Sequence, residues 1–132
     1  MKKDLQVYKE NKKSFKRFIM SFAYSYEGMK YAFYHEQNLI VMIIIAIIAL
    51  VLGLFLNISD AERLVIVLLI GMVLSLEMVN TAIEATVDIS GKISEKGKVA
   101  KDCASGAVGI MSIFAVIIGI MIFLPKIIAL FK

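Results

Sequence analysis

The sequence has very few of the residues that build disulfides and cysteine-based metal centres. It contains a single cysteine, a single proline, one histidine and no tryptophan. One cysteine excludes an internal disulfide and a cysteine-based metal site. The sequence also lacks the glycine-rich phosphate loop, the dinucleotide-binding glycine pattern and the protein-kinase signatures. A nucleotide, if the protein uses one, therefore needs a site of another kind.

Charge is missing from long stretches of the chain. Hydrophobic residues make up 60% of the sequence, whereas soluble domains usually run at about 45–50%. Segments 39–56 and 103–125 carry no charged residue, and Glu77 is the only one in segment 64–83. Each segment is close to the ~20 residues that cross a bilayer as a helix. We therefore predict an all-α integral membrane protein, a single domain over 1–132, with spans at about 38–57, 63–88 and 101–125.

The basic residues predict an orientation in the membrane. Of the 15 lysines and arginines, most precede the first span or lie between the second and third. The positive-inside rule then places the N-terminus and the second loop in the cytoplasm, and the C-terminus outside. The net charge of +4 indicates contact with anionic lipids. Because the basic residues cluster beside the spans, nucleic acid is not an expected partner.

Aromatic and apolar residues recur at helical spacing before the first span, which predicts an amphipathic surface helix at about 14–35. They are Phe15, Phe18, Ile19, Phe22, Tyr26, Met29 and Phe33. Such a helix is either a simple interfacial anchor or a lid over an interfacial site.

Polar residues form one stripe on the second predicted span. At about 100° per residue, Glu77, Asn80, Glu84 and Asp88 fall on one helix face. A carboxylate at the centre of a membrane helix costs roughly 2.5–3.5 kcal/mol, so this stripe is a candidate functional site. We expect the spans of one chain to be too few to enclose it, and therefore predict an obligate oligomer.

Further polar residues are expected at the same cytoplasmic face. Glu36 precedes the first span, and Lys101 and Asp102 open the third. Interfacial carboxylates suit Mg²⁺ shared with phosphates, and the deeper Glu77 suits a base acting on a hydroxyl held in the lipid layer. Simpler interpretations stay open. In these, Glu36 is an ordinary solvated charge and Asn80 only makes a hydrogen bond between helices. Lys101 is a topological anchor and Asp102 a helix N-cap.

The segment Glu77-Met78-Val79-Asn80-Thr81-Ala82-Ile83-Glu84-Ala85-Thr86-Val87-Asp88 resembles the E-x-x-N-[ST]-A-I-E-x-x-x-D signature of the prokaryotic diacylglycerol kinase family. Ala100-Lys101-Asp102 is similar to its second signature, and residues 23–29 resemble its surface-helix segment. The resemblance covers essentially the whole chain. It implies a homotrimeric membrane lipid kinase that uses ATP and Mg²⁺, with active sites shared between subunits.

The resemblance also implies roles for individual residues. Glu77 matches the catalytic base, and the metal-binding glutamates match Glu36 and Glu84. The family's nucleotide-contacting positions correspond here to Arg17, Tyr24, Lys101 and Asp102. Its positions lining the lipid site correspond to Ser25, Lys30, Asn38 and Ser105. Asn80 and Asp88 match supporting polar positions around the centre.

The chain departs from the family pattern in two places. The loop 89–100 lacks the histidine found there in many members, so nucleotide contacts from that loop are left open. Tyr26-Glu27 stands where the diacylglycerol-using Gram-negative branch has Trp-Lys. The lysine-rich composition is typical of a low-GC Gram-positive bacterium, whose members of this family are similar to undecaprenol kinases.

We therefore expect a multi-pass plasma-membrane enzyme that phosphorylates undecaprenol, with diacylglycerol as the nearest alternative substrate. The rival of a different class is a small proton-coupled transporter that uses Glu77. The third span, which has no charged residue in 103–125, argues against such a relay.

Overall fold

The structure is a computed structural model that describes residues 15–89, 91 and 94–131. Every regular element in these ranges is an α-helix: α1 (Phe15–His35), α2 (Gln37–Phe55), α3 (Asp60–Asp88) and α4 (Glu95–Ala129). Helices α2, α3 and α4 are each long and apolar enough to cross a membrane. The prediction of an all-helical chain with three candidate spans is confirmed.

The chain divides into two compact units, with the boundary between His35 and Glu36. In the first unit, α1 carries a row of aromatic contacts near its start. The ring centroids of Phe15 and Phe18 lie 6.4 Å apart, and those of Phe18 and Phe22 lie 5.4 Å apart edge to face. Position 14 of the predicted helix lies outside the described residues, and the place of α1 at the membrane interface stays a prediction.

In the second unit, a tight turn joins α2 to α3. Asn57 adopts a positive φ of 46°, a conformation that asparagine tolerates better than most residues. The Ile58 amide then donates back to the Gly53 carbonyl at 3.3 Å. A Cβ on Gly53 would lie 2.8 Å from Ile58 Cδ1, so any larger residue there would force the Ile58 side chain to shift.

Side-chain caps set the starts of α3 and α4. The Glu62 amide donates to Ser59 Oγ at 3.3 Å, and the Ser59 amide donates to Glu62 Oε2 at 2.7 Å. This capping box starts α3 at Asp60, ahead of the predicted 63. Ser94 Oγ accepts from the Gly97 amide at 3.0 Å and starts α4 at Glu95, ahead of the predicted 101.

The third span was predicted to end at about 125, with Pro125 as its stop, and this is wrong because α4 continues through Pro125 to Ala129. Proline removes one backbone donor and crowds the preceding turn. Membrane helices nevertheless tolerate it where neighbouring groups and local adjustments satisfy the freed carbonyl. The extra turn beyond Pro125 brings Lys126 within 3.0 Å of Glu62 at the start of α3.

Helix α3 packs against both α2 and α4. Near the α2–α3 turn, Ile58, Ile66 and Ile122 form a buried apolar cluster. Between the three helices runs an apolar groove of about 480 Å³, with Ser112 contributing its one polar side chain. Glu62 and Glu84 lie at opposite ends of α3, about 33 Å apart at 1.5 Å per residue, so the polar stripe is far from the Glu62–Lys126 pair.

Candidate active site

The deep part of the polar stripe is buried. Glu77, Asn80 and Thr81 on α3 are 2%, 6% and 4% exposed. The Thr81 hydroxyl donates to the Glu77 backbone carbonyl at 3.0 Å, which satisfies that hydroxyl within the helix. A single chain buries Glu77 but leaves Asp88, at the outer end of the stripe, exposed, so burial of Glu77 alone does not require an oligomer. The oligomeric state itself stays a prediction.

Asn80 connects the deep part of the stripe to its outer part. Its Nδ2 donates to Glu84 Oε1 at 2.9 Å, from one helical turn earlier on α3. An i,i+4 pair of this kind lies on one helix face. The bond fixes one of the two carboxylate oxygens of Glu84, so the other is directed to a different partner.

That partner is Lys101 of α4. Lys101 Nζ lies 3.7 Å from Glu84 Oε2. It donates to both oxygens of Asp88, at 3.2 Å and 3.1 Å. The ammonium therefore lies between two carboxylates at the end of α3, and it ties α3 to α4. Two carboxylates and one ammonium leave a net charge of −1 when all are ionised, so the cluster still attracts a cation.

Two buried acceptors on the stripe have no hydrogen-bond partner among the described residues. They are Glu77 Oε1 and Asn80 Oδ1. Buried polar atoms in proteins are nearly always paired, and an unpaired one costs free energy. Each of these two oxygens is therefore ready to accept a hydrogen bond from a ligand.

An open cleft of about 450 Å³ adjoins the lysine. It is lined by Ser94, Glu95, Lys98, Lys101 and Asp102, all from the beginning of α4. Asp102 is exposed there. The alternative interpretation of Asp102 as a helix N-cap is wrong, since Ser94 caps the helix two turns earlier. Asp102 is thus available to a ligand in the cleft.

Glu36 occupies the N-cap position of α2, but its side chain makes no capping hydrogen bond. It is half-buried. Across the described ranges, no group of three His, Cys, Asp or Glu side chains is arranged to hold a metal ion. The structure therefore joins Glu84 to Asp88 through Lys101, and it does not assemble a complete metal site around Glu36 and Glu84.

The remaining predicted site residues are divided between the two units. Asn38 on α2 and Ser105 on α4 are exposed. The other four lie on α1 in the first unit, where Arg17 is half-buried and Tyr24, Ser25 and Lys30 are exposed. Ser25 Oγ donates to the Ser21 carbonyl at 2.9 Å, within the helix. Their proposed contacts with nucleotide and lipid stay predictions.

Sequence reasoning missed Thr81, which is buried beside Glu77. Its position four residues later on the same face was a usable signal. Ser94, Glu95 and Lys98 belong to segment 89–100, whose nucleotide contacts were left open, and they line the cleft because α4 begins earlier than predicted. Ser94 followed by Gly97 is not a recognisable capping pattern, so the start of α4 at Glu95 was hard to predict.

Comparison with known proteins assigns the chain to a family. The family model described as prokaryotic diacylglycerol kinase matches residues 23–123. Undecaprenol kinase of Bacillus subtilis (strain 168) is 40% identical over 119 residues, covering 89% of this chain and 97% of that protein. Diacylglycerol kinase of Escherichia coli (strain K12) is 32% identical over 81% of this chain and 88% of its own length. Diacylglycerol kinase of a Synechocystis strain is 34% identical over 85% of this chain and 65% of its own length.

Proposed function

The chain belongs to the prokaryotic diacylglycerol kinase family and is a lipid kinase, and on that premise we propose that it phosphorylates undecaprenol with ATP and Mg²⁺. The chain is a bacterial membrane protein, with three helices apolar enough to span a bilayer. We further propose that the site faces the cytoplasm, that the C-terminus lies outside and that the enzyme is a homotrimer. The lysine-rich N-terminal region and second loop support that orientation.

One observation carries the proposal of a lipid hydroxyl as the phosphate acceptor. Glu77 is 2% exposed and lies seven residues before Glu84 on α3. Its Oε1 has no partner within the part of the chain that the structure describes. A hydroxyl is the donor that such an oxygen needs. An alcohol held in the acyl layer would reach this depth, whereas a water-soluble acceptor would have to leave water to do so.

In this mechanism Glu77 accepts the proton of the lipid hydroxyl as its oxygen attacks the γ-phosphorus of ATP. The bond between that phosphorus and the bridging oxygen of the β-phosphate breaks, and ADP leaves. Phosphoryl transfer depends mainly on positioning and on neutralising phosphate charge. Lys101 and Arg17 would offset that charge, and Tyr24 and Asp102 would contact the nucleotide.

The outer carboxylates fit a divalent cation. Glu84 and Asp88 already hold a cationic ammonium between them, which shows that their oxygens favour positive charge. Mg²⁺ usually takes one or two carboxylates and completes its shell with water and phosphate. Glu84, with Glu36, would hold Mg²⁺, which would supply charge that neutralises the nucleotide phosphates. Asn80 orients Glu84 for that purpose.

The nearest alternative substrate is diacylglycerol, the lipid in the names of two of the relatives. Ser25, Lys30, Asn38 and Ser105 would line the lipid site in either case. A transporter is less well supported, because residues 64–76 of α3, which precede Glu77, include no ionisable side chain. A proton relay needs titratable groups across the whole span, and here residues 64–76, between Arg63 and the buried carboxylate, carry none.

The test is phosphate transfer from radiolabelled ATP by the purified protein, with a panel of lipid alcohols in mixed micelles. We expect a labelled, chloroform-soluble product with undecaprenol, and none when Mg²⁺ is removed with EDTA. Absence of labelled product with every alcohol, from protein that is folded by circular dichroism, would contradict the assignment.

A further inference from the structure

Lys101 lies against the carboxylates that a divalent cation would need as ligands. Its ammonium contacts both oxygens of Asp88 and approaches the one Glu84 oxygen that Asn80 does not bond. The side chains of Lys101 and Glu84 are 24% and 32% exposed. The contact is therefore partly shielded from water, and it bridges two helices rather than two turns of one.

We propose that Lys101 and a divalent cation compete for the Glu84 carboxylate, with Asp88 holding the ammonium beside it. In the nucleotide-free protein the ammonium acts as the counter-ion of both carboxylates. When nucleotide phosphate arrives, the ammonium moves to the phosphate and leaves Glu84 free to bind metal. This inference rests on the proposed kinase function, because it assigns an order of events to that same site.

Charge arithmetic supports an exchange rather than joint occupancy. A divalent cation bound to Glu84 Oε2 at about 2.1 Å would lie no more than about 6 Å from an ammonium that stays 3.7 Å from the same oxygen, and like charges that close repel near a protein surface. A lysine ammonium is a compact charge on a flexible stem. It can therefore swing from carboxylate to phosphate without any backbone movement.

The open cleft gives the ammonium its second position. Lys101 lines this cleft of about 450 Å³ together with Lys98, Ser94 and two carboxylates, those of Glu95 and Asp102. Phosphate in the cleft would offer Lys101 a stronger, doubly charged partner than Asp88. The exchange would then make metal binding depend on bound nucleotide, so that free metal alone does not occupy the carboxylates.

The experiment measures binding of Mn²⁺ alone to the full-length protein in nanodiscs, without nucleotide, from the electron paramagnetic resonance signal of free Mn²⁺. We expect Lys101→Met to bind Mn²⁺ roughly tenfold more tightly than the parent, because the competing charge is gone. Lys101→Arg, which keeps the charge, should bind like the parent. Lys96→Met is the matched control, since Lys96 is exposed on the first turn of α4.

A gain that disappears in the Lys101→Met, Glu84→Gln double variant would locate the effect at the carboxylate pair. Equal or weaker Mn²⁺ binding by folded Lys101→Met, or an equal gain in Lys96→Met, would overturn the proposal. The measurement needs no catalysis. A failed kinase assay therefore refutes the proposed function alone, and unchanged Mn²⁺ binding in an active kinase refutes the exchange alone.

Discussion

The Asn80 amide holds one oxygen of Glu84 at 2.9 Å while the other Glu84 oxygen faces Lys101 at 3.7 Å. The two oxygens of one carboxylate thus have different partners on different helices. Asn80 is 6% exposed, so water does not replace its amide easily. This arrangement gives Asn80 a positioning role, because it fixes the carboxylate that is proposed to hold metal.

We expect Asn80→Leu to lower turnover by roughly tenfold or more, since a hydrogen bond to a charged group contributes about 1.5–3 kcal/mol. Leucine keeps the size of the side chain and removes both the amide donor and the unpartnered Oδ1. The half-saturating Mg²⁺ concentration should rise as well. Thr86→Val is the control, because Thr86 is exposed and its hydroxyl donates only to the Ala82 carbonyl. Normal Mg²⁺ dependence in Asn80→Leu would contradict the positioning role.

Glu77→Gln tests the proposed base. Glutamine keeps the shape and removes a buried charge, so the thermal unfolding midpoint should stay the same or rise. Turnover should fall by roughly 10²–10⁴-fold, the usual contribution of a general base. Asp60→Asn removes a carboxylate from the exposed first turn of the same helix and serves as the control. Substantial turnover by Glu77→Gln would show that Glu77 has only a structural role.

Glu36→Gln and Glu84→Gln should both raise the half-saturating Mg²⁺ concentration and lower turnover, because each removes charge from a site for a hard cation. High Mg²⁺ should restore part of the activity. We expect the larger effect from Glu84→Gln, since Glu84 is already held by Asn80 and Lys101, whereas the Glu36 side chain makes no capping bond. If both variants titrate like the parent, the metal assignment is wrong.

The periodicity of the sequence predicted the helices and the polar stripe, because long apolar segments and a 3.6-residue repeat leave few alternatives. The helix starts were harder to predict from the sequence. The cap at Ser59 was readable as a capping box, but Ser94 lies in a polar loop where several residues could have capped α4. The salt bridge between Lys101 and Asp88 could not be predicted either, because its geometry depends on how α4 packs against α3.

The pair between Glu62 and Lys126 offers a stability test that is separate from the site. The two side chains are 31% and 30% exposed and lie 3.0 Å apart. Exposed pairs contribute about 0.2–1 kcal/mol, so Lys126→Met should lower the thermal unfolding midpoint slightly and leave turnover unchanged. A double-mutant cycle with Glu62→Gln isolates the pair itself. A large loss of turnover in Lys126→Met would show that this end of the bundle is coupled to the active site.

The choice between undecaprenol and diacylglycerol depends on what surrounds the lipid below its hydroxyl. Diacylglycerol brings two ester carbonyls, which need partners or water when they leave the headgroup layer. Residues 39–56 of the first span carry no hydrogen-bonding side chain. The groove between α2, α3 and α4 likewise offers one polar side chain, Ser112. An isoprenoid chain without ester groups needs no such partner.

We therefore expect undecaprenol to be phosphorylated in preference to diacylglycerol, in keeping with the 40% identity to the Bacillus subtilis undecaprenol kinase. The measurement is competition in one mixed-micelle assay, comparing kcat/KM for the two alcohols at equal surface fraction. Dodecanol is a useful third acceptor, because it has the hydroxyl but neither isoprenoid branches nor esters. If kcat/KM for dodecanol also exceeds kcat/KM for diacylglycerol, the ester groups cause the discrimination. If it does not, the enzyme recognises the isoprenoid chain. A ratio that favours diacylglycerol over undecaprenol would overturn the substrate assignment and leave the lipid-kinase assignment intact.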